Sequence, residues 1–330
     1  MQTSHELSLR PFRLLCAICA QGEEDATAVD AATAALLARL RAQPDVPVTL
    51  RCNAGDIFGY QDPGTADDTP EGAAFNRLRD LEILHKLDLF PGCTLPARML
   101  LHRVLAQIDE NADICGDATA TGAWSGCPKA QSGCYQRGRA KGIDAVIPPR
   151  PVDEMQQEKQ VSLEAMHKAD AIRVRPHILL CAVCQYGQGI RPPYPEDNLP
   201  ELLALVVQEP DRRITLASGP DWMMCAPCPY RITEHETCVI HQGAGGLANQ
   251  LRDLRVLRRL DLQFGDTLPA RELFQLIFDR IPGTLQVDKL DHAAPSVWGD
   301  PCGAETTDAE AYAHGKALLI AALDLQMSPG

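Results

Sequence analysis

The chain has 330 residues, of which 45% are hydrophobic and 23% are charged, a composition typical of a folded protein with about two domains. Its formal net charge of −13 at pH 7 argues against nucleic acid and anionic membrane surfaces as partners, because both are negatively charged themselves. No stretch approaches the roughly 20 consecutive apolar residues that a membrane span needs, so we expect no membrane association.

The 13 cysteines are too sparse for a small scaffold held by disulfides, and their number is odd. The chain does not open on a basic segment followed by an apolar stretch and a small-residue cleavage site, so we expect a cytoplasmic protein. Thiols stay reduced in the cytosol, where clustered cysteines indicate metal binding or catalysis.

The first predicted element is a strand in residues 10–22, RPFRLLCAICAQG, with Cys16 and Cys19 near its end. A similar run, RPHILLCAVCQYG, occupies residues 175–187, and the apolar stretch predicted as a strand there is IRVRPHILLCAVC, residues 172–184. Continuous apolar runs of this kind are typical of strands that are buried on both faces. We therefore expect both segments to be strands inside α/β units.

A longer similarity indicates that the chain repeats itself. Residues 76–108 align without gaps to residues 249–281, with 17 identities in 33 positions. A looser match pairs Trp124, Cys127, Tyr135 and Gly138 with Trp298, Cys302, Tyr312 and Gly315. The sequence therefore predicts a tandem duplication, with a first repeat at 1–145, a Pro-rich and then charged linker at 146–171, and a second repeat at 172–330. Within the linker, SLEAMHKAD at residues 162–170 is compatible with a helical turn or two.

Each repeat is predicted to be an α/β unit in the order strand, helix, strand, helix, helix, with a short parallel sheet. In the second repeat, Asn198 before a proline indicates a helix start, and the segment RRITLASG is the next strand. Leucines recur at helical spacing over residues 247–260, which predicts a further helix. Thr267 and Pro269 are expected to open the last helix.

Five cysteines of the second repeat are predicted to meet at one edge of its sheet. Cys181 and Cys184 lie where the first predicted strand ends, Cys225 and Cys228 follow the second strand, and Cys238 lies in the next loop. Parallel strands that are joined by a helix end on the same edge, where open α/β sheets place their ligands. We expect a site there.

Thiolates grouped in this way hold either a tetrahedral zinc ion or an iron–sulfur cluster. The C-x2-C-P turn at residues 225–229 and the nine-residue gap before Cys238 are typical of cluster loops. The apolar residues 222–224 would shield a cluster from water. We therefore favour a [4Fe–4S] cluster over zinc, with Cys302 as a sixth candidate ligand.

Several functions remain open at this point. A cluster with four cysteine ligands would exchange electrons with a partner, whereas a cluster with an open iron would bind a small-molecule substrate as a Lewis acid, as lyases and dehydratases do. A zinc site would instead stabilise a binding or regulatory module without catalysis. The C-x2-C pair is also compatible with a reversible dithiol, and isolated buried cysteines with ordinary core packing.

The second repeat resembles a short bacterial family known as domain of unknown function 1284, which is regarded as iron–sulfur-binding. The resemblance covers residues 173–265 and depends on RPHILLC, on C-x2-C-P and on a cysteine ten residues further on. It implies that Cys181, Cys225, Cys228 and Cys238 are the ligands. Cys184 and the duplication depart from the family's pattern.

The first repeat retains Cys16, Cys19 and Cys127 but has IFGYQDPG where the second repeat has MMCAPCPY. It offers Cys52, Cys115 and Cys134 as further thiols. Either Cys16, Cys19, Cys127 and Cys134 hold a second centre, or the first repeat is a scaffold that has lost its site.

Two polar features accompany the cysteines. His177 lies close to Cys181 in sequence and is the best acid–base candidate, with a packed, hydrogen-bonded histidine as the alternative. The motif N-x-L-R-D occurs in both repeats, as Asn76, Arg79 and Asp80 and as Asn249, Arg252 and Asp253. Because it persists while the cysteines differ, we interpret it as a helix-capping and ion-pairing device.

Overall fold

The computed structural model describes residues 6–54, 64, 66, 68–116, 126–232, 237–239, 244–284, 287 and 307–326. The chain is a mixed α/β protein that divides into two compact units, Met1–Pro149 and Arg150–Gly330. Each unit has its own apolar core.

The first unit is built on a three-stranded sheet in the order β1 (Leu7–Leu9), β2 (Pro47–Leu50) and β3 (Thr94–Pro96). The pair β1–β2 is parallel, as predicted, whereas β3 runs antiparallel to β2. The helices of this unit are α1 (Phe12–Gly22), α2 (Ala31–Ala42), α3 (Ala73–Lys86), α4 (Ala97–Gln107), α5 (Ala112–Cys115) and α6 (Cys134–Ala140).

The second unit has a sheet with the same strand order and directions, formed by β4 (Ala171–Val174), β5 (Arg213–Leu216) and β8 (Thr267–Pro269). A small antiparallel pair, β6 (Arg231–Ile232) and β7 (Thr237–Cys238), lies between β5 and β8 in the chain. The helices are α7 (Val152–Lys168), α8 (Pro176–Gly187), α9 (Leu199–Gln208), α10 (Trp222–Cys225), α11 (Ala244–Leu260), α12 (Ala270–Arg280) and α13 (Thr307–Ala322).

The two apolar runs predicted as strands are mainly helices. The strands end at Leu9 and Val174, and α1 and α8 begin at Phe12 and Pro176. Pro176 occupies the first turn of α8, where its missing N–H costs nothing and its fixed φ suits a helix. A short run that is apolar on all sides has no periodicity that separates a buried strand from a buried helix, which is why the prediction was wrong.

The predicted linker is mostly α7, a helix of 17 residues that belongs to the second unit. Met166 on this helix is fully buried in the core of the unit. Ser162 is also buried and accepts a hydrogen bond of 2.8 Å from the side chain of Asn198. The flexible segment expected between the repeats is therefore part of a folded unit.

The other predicted elements of the second unit are close to those observed. The start of α9 after Asn198 and the strand in RRITLASG are confirmed. Helix α11 is also confirmed, although Leu247 and Leu254 on it are 67% and 52% exposed. The last predicted helix is confirmed as α12, which begins at Ala270 directly after Pro269, although Thr267–Pro269 just before it form the antiparallel strand β8.

Close helix crossings position the cysteine-bearing helices in both units. A Cβ atom added to Gly22 of α1 would lie 1.8 Å from the carbonyl oxygen of Cys134 on α6. A Cβ atom at Gly187 of α8 would lie 1.9 Å from the carbonyl oxygen of Ala311 on α13. Only glycine permits such backbone contact, so these residues bring α1 onto α6 and α8 onto α13.

Candidate functional site

The second-unit cysteine loop, residues 225–238, starts from a well-fixed turn. Asp221 caps α10 by accepting a hydrogen bond of 3.0 Å from the backbone N–H of Met223. The amide of Cys228 then donates to the carbonyl of Cys225 at 3.0 Å, and the amide of Arg231 donates to the carbonyl of Cys228 at 3.2 Å. Because Arg231 pairs with Cys238 across β6 and β7, the chain brings Cys238 back to the segment that follows Cys225 and Cys228.

The three thiols of this loop influence one another electrostatically. Burial, together with the neighbouring Cys228 and Cys238, raises the pKa of Cys225 to about 12. Burial also raises the pKa of Cys228 to about 11, with a further contribution from Cys238. Without a compensating cation these thiols stay protonated at neutral pH.

Side chains at the start of the second unit hold the loop in place. Arg150 donates to the carbonyl oxygens of Ala226 and Cys228, the latter at 3.1 Å. Glu158 of α7 accepts hydrogen bonds from the indole N–H of Trp222 at 2.7 Å and from Arg231 at 2.9 Å. The segment predicted as a linker therefore supports the candidate site.

The remaining predicted ligands of the second unit lie outside the cysteine loop. Cys181 and Cys184 are half-buried on α8, one turn apart, rather than at a strand end. Cys184 lies near Tyr312, whose pKa is raised first by burial and then by this thiol. Cys302 lies outside the described residues. Within the described ranges, no three Cys, His, Asp or Glu side chains are grouped as a single metal ion would require.

His177 lies in the first turn of α8 and is hydrogen-bonded to Asp253 of α11. Its backbone N–H and its imidazole Nδ1 both donate to Oδ1 of Asp253, at 3.0 and 2.7 Å. Arg175 donates to the other oxygen of Asp253 through Nε and Nη2, at 2.8 and 2.6 Å. Burial lowers the pKa of His177 despite the opposing effect of Asp253, so the imidazole is neutral at pH 7.

The first unit contains the corresponding ion pair. Asp80 accepts from Nε of Arg10 at 2.7 Å and from the backbone N–H of Phe12 at 3.0 Å. Within each repeated motif the arginine also donates to the asparagine three residues earlier, at 2.6 Å for Arg79 and 3.0 Å for Arg252. The interpretation of N-x-L-R-D as a helix-capping and ion-pairing device is confirmed.

Five cysteines of the first unit come together, of which the sequence predicted four. The thiols of Cys19 and Cys134 share a hydrogen bond across the α1–α6 crossing. Cys16 interacts with Cys127, and Cys115 interacts with both. The amide of Cys127 donates to the carbonyl of Cys115 at 2.7 Å. Cys115 was not assigned to the site because no spacing in the sequence distinguishes it from Cys52.

These thiols have different acidities. Burial raises the pKa of Cys16 to about 11 and that of Cys115 to about 12. The hydrogen bond from Cys19 lowers the pKa of Cys134 to about 6, and the pKa of Cys19 is raised correspondingly. Cys134 is therefore the thiol of this group that is most readily ionised.

The fold and these clusters define a mixed α/β protein with a thiol-rich region in each of two units. Comparison with protein-family models, curated proteins and solved structures found no match to this chain. In the part of the chain that the structure describes, no helix combines the length and apolar character needed to cross a membrane.

Proposed function

We propose that this chain is an iron–sulfur-binding protein whose centre is held by the second-unit cysteine loop. The observation that carries the proposal is the geometry of the loop: a turn joins Cys228 to Cys225, and the β6–β7 pair places Cys238 opposite Arg231, three residues after Cys228. The charges of Cys228 and Cys238 also act on the thiol pKa of Cys225. Buried thiols that destabilise one another's thiolates are stabilised when a cationic centre replaces their protons.

A cluster accommodates more widely spaced thiol ligands than a single zinc ion does. Zinc brings four sulfurs to about 2.3 Å from one point, which demands a tight group. The described residues contain no such group for a single ion. In a cluster, sulfide bridges separate the irons, and each thiolate binds its own iron, so the ligands are more widely spaced. Cys181 of α8 is the fourth ligand in this proposal, with Cys184 and Cys302 as alternatives.

A bound cluster would supply either electron transfer, with four cysteine ligands, or Lewis-acid binding of a small-molecule substrate at an open iron. Two arginines of this chain stabilise the negatively charged thiolates that would bind the cluster. Arg175 favours the thiolate of Cys225, and Arg150 favours the thiolate of Cys228. Arg150 and Glu158 also fix the loop, so that the ligands do not have to be ordered when the centre binds.

We also infer that the two units arose by duplication and that the chain is cytoplasmic. The identical strand order and the equivalent Arg10–Asp80 and Arg175–Asp253 pairs support a common origin. None of the twelve described cysteines forms a disulfide, as expected in a reducing compartment. A second centre at Cys16, Cys19, Cys127 and Cys134 is a further proposal, and it would require the Cys19–Cys134 hydrogen bond to open.

Replacing one ligand tests the proposal. The variant Cys228→Ser, purified without oxygen, is expected to lose the iron and sulfide of the second-unit centre, whereas Cys93→Ser retains the wild-type content. Cys93 is a suitable control because it is also half-buried but lies in the turn before β3. Unchanged iron in Cys228→Ser would contradict the assigned ligands.

The same preparation distinguishes the alternatives. A colourless wild-type protein with about one zinc per chain would instead support a zinc-stabilised module without catalysis. A metal-free protein of normal stability would support a C-x2-C redox dithiol or plain core cysteines.

A further inference from the structure

The first unit contains a cavity of about 420 Å³, which is within the roughly 300–1,000 Å³ typical of small-molecule sites. One side is apolar and comes from α1 and the segment after it, through Phe12, Leu15, Ala20 and Val29. The thiols of Cys16, Cys19, Cys115 and Cys127 also line the cavity. These walls favour a compact ligand with an apolar or sulfur-containing body.

Two polar atoms on the lining lack hydrogen-bond partners within the described structure. They are Nε of Arg79 and Oδ1 of Asn111, on residues that are 2% and 1% exposed. Buried donors and acceptors are nearly always bonded in folded proteins. One missing donor partner and one missing acceptor partner at the same cavity indicate a ligand that offers both kinds of group.

Some charged side chains on the cavity lining have an ion-pair partner, and Arg79 has none among the described residues. Two lining carboxylates are already paired, Asp68 with Arg10 at 2.5 Å and Asp30 with Arg13 at 3.5 Å. Arg79 has no carboxylate within ion-pair distance among the described residues, and its guanidinium instead stacks on the ring of Phe12, 3.9 Å from the centroid. A ligand carboxylate would supply the missing counter-charge.

The cavity also offers a site for positive charge. Glu71 lines it and lies near Cys127, where its negative charge raises the pKa of that thiol. The unpartnered Oδ1 of Asn111 is a second acceptor on the lining. A ligand ammonium group can donate to both kinds of oxygen.

We propose that the first-unit cavity binds a small zwitterion, an α-amino acid with an apolar side chain. Arg79 binds the carboxylate, Asn111 and Glu71 receive the ammonium group, and the wall of Phe12 and Ala20 contacts the side chain. This site is independent of the second-unit cysteine loop, and it is an alternative to the second centre, because Cys16, Cys19 and Cys127 line the same cavity.

The second unit provides an internal contrast. Continuing the offset of the gap-free alignment by three residues places Thr284 where the first unit has Asn111, and the match of 10–22 to 175–187 places His177 where it has Phe12. The second unit therefore retains the arginine, as Arg252, but lacks both the amide and the apolar wall. We expect one binding site per chain.

Calorimetric titration of the full-length protein with L-leucine, 4-methylpentanoate and 3-methylbutylamine tests this site. The three probes share a side chain, and each of the last two lacks one charged group. L-Leucine is expected to bind at one site per chain, and each single-charge probe at least about tenfold more weakly. Failure of L-leucine to bind at millimolar concentration, or equal binding of 4-methylpentanoate, would overturn the proposal.

Variants locate the binding. Arg79→Lys keeps the charge but removes Nε and the planar, two-pronged guanidinium, so the affinity for L-leucine should fall by about tenfold. Ala20→Leu fills the cavity without removing a polar group, and it should also lower the affinity for L-leucine. Arg252→Lys is the matched control and should bind as wild type, as should Cys228→Ser. Wild-type affinity in folded Arg79→Lys and Ala20→Leu proteins would place the binding elsewhere and contradict the proposal.

Discussion

Asp253 accepts two hydrogen bonds from His177, one from its backbone N–H at 3.0 Å and one from its imidazole at 2.7 Å. In the first unit Phe12 has the place of His177, and Asp80 receives only the backbone N–H bond from it. Burial raises the pKa of Asp80 to about 6. Burial acts in the same direction on Asp253, but the hydrogen bonds from His177 and the positive charge of Arg175 outweigh it and lower the pKa.

This difference predicts how His177→Phe changes the pH dependence of stability. The neutral buried His177 binds fewer protons than it does in the unfolded chain, so the folding stability it provides falls as pH drops below the ordinary value of 6.5. Removing the imidazole also lets burial raise the pKa of Asp253, so that this carboxyl favours folding at low pH. The stability difference between wild type and variant should therefore shrink on acidification from pH 7 to 5.

Urea unfolding at several pH values measures this difference. At pH 7 the variant should be less stable by about 1–3 kcal/mol, because a buried carboxylate loses one partner. His167→Phe is the control, since His167 is exposed in the last turn of α7. A stability difference that does not vary with pH would show that the His177–Asp253 bond does not govern the protonation of either group.

The two buried aspartates should differ in their contribution to stability. Asp253 accepts four hydrogen bonds, two from Arg175 and two from His177. Asp80 accepts two, and its partner Arg10 retains a second carboxylate, Asp68, at 2.5 Å. Breaking a buried pair costs about 3–5 kcal/mol because it leaves a buried charge without compensation.

We therefore expect Asp253→Asn to destabilise its unit by an amount in that range and Asp80→Asn by less. Chemical unfolding of the full-length variants gives both values. Equal losses would contradict the role assigned to Asp68 as a second partner for Arg10.

Glu158 is predicted to determine how firmly the cysteine loop is held. Glu158→Gln weakens the contacts to both Trp222 and Arg231, so the iron of the proposed second-unit centre should be lost to a chelator several-fold faster. Alkylation of Cys228 in the metal-free protein should also become faster. Glu164→Gln on the same helix is the control, because Glu164 is 72% exposed and pairs only with Lys168 at 3.2 Å. The same rates in both variants would show that α7 does not brace the loop.

Cys19 and Cys134 are predicted to form a disulfide under mild oxidation. Their thiols already share a hydrogen bond, and the close approach at Gly22 keeps α1 against α6. Treatment with diamide should remove two hydrogens from the pair, with diamide taking up the two electrons and two protons. Peptide mapping by mass spectrometry should identify the Cys19–Cys134 crosslink.

The second unit supplies the control for that oxidation. Cys184 corresponds to Cys19, but Ala311 stands where the first unit has Cys134. No equivalent crosslink should form across α8 and α13. Recovery of Cys19 and Cys134 as free thiols while other cysteines oxidise would contradict the pairing.

The sequence predicted the parallel pair of strands in each unit, because an apolar strand followed by an amphipathic helix and another strand has few alternative arrangements. It did not predict β8, since three residues ending in a proline carry too little pattern to identify a strand. Helix α7 was missed because its polar composition resembles a linker, although Met166 and Ser162 are buried.

The candidate site was predicted in part for similar reasons. The grouping of Cys225, Cys228 and Cys238 follows from short local spacing, which sequence shows directly. The grouping of Cys115 with Cys16 depends on how distant helices pack, and no local pattern records that. The supporting contacts of Arg150 to the loop likewise join segments 76 and 78 residues apart.

The central claim is that the second-unit cysteine loop holds an iron–sulfur centre. The most direct measurement is the iron, sulfide and zinc content of the wild-type protein isolated without oxygen, together with its visible absorption. The account predicts a brown protein with iron and sulfide in equal amounts, about four of each per chain for one [4Fe–4S] cluster. A colourless protein that contains stoichiometric zinc, or no metal at all, would contradict it.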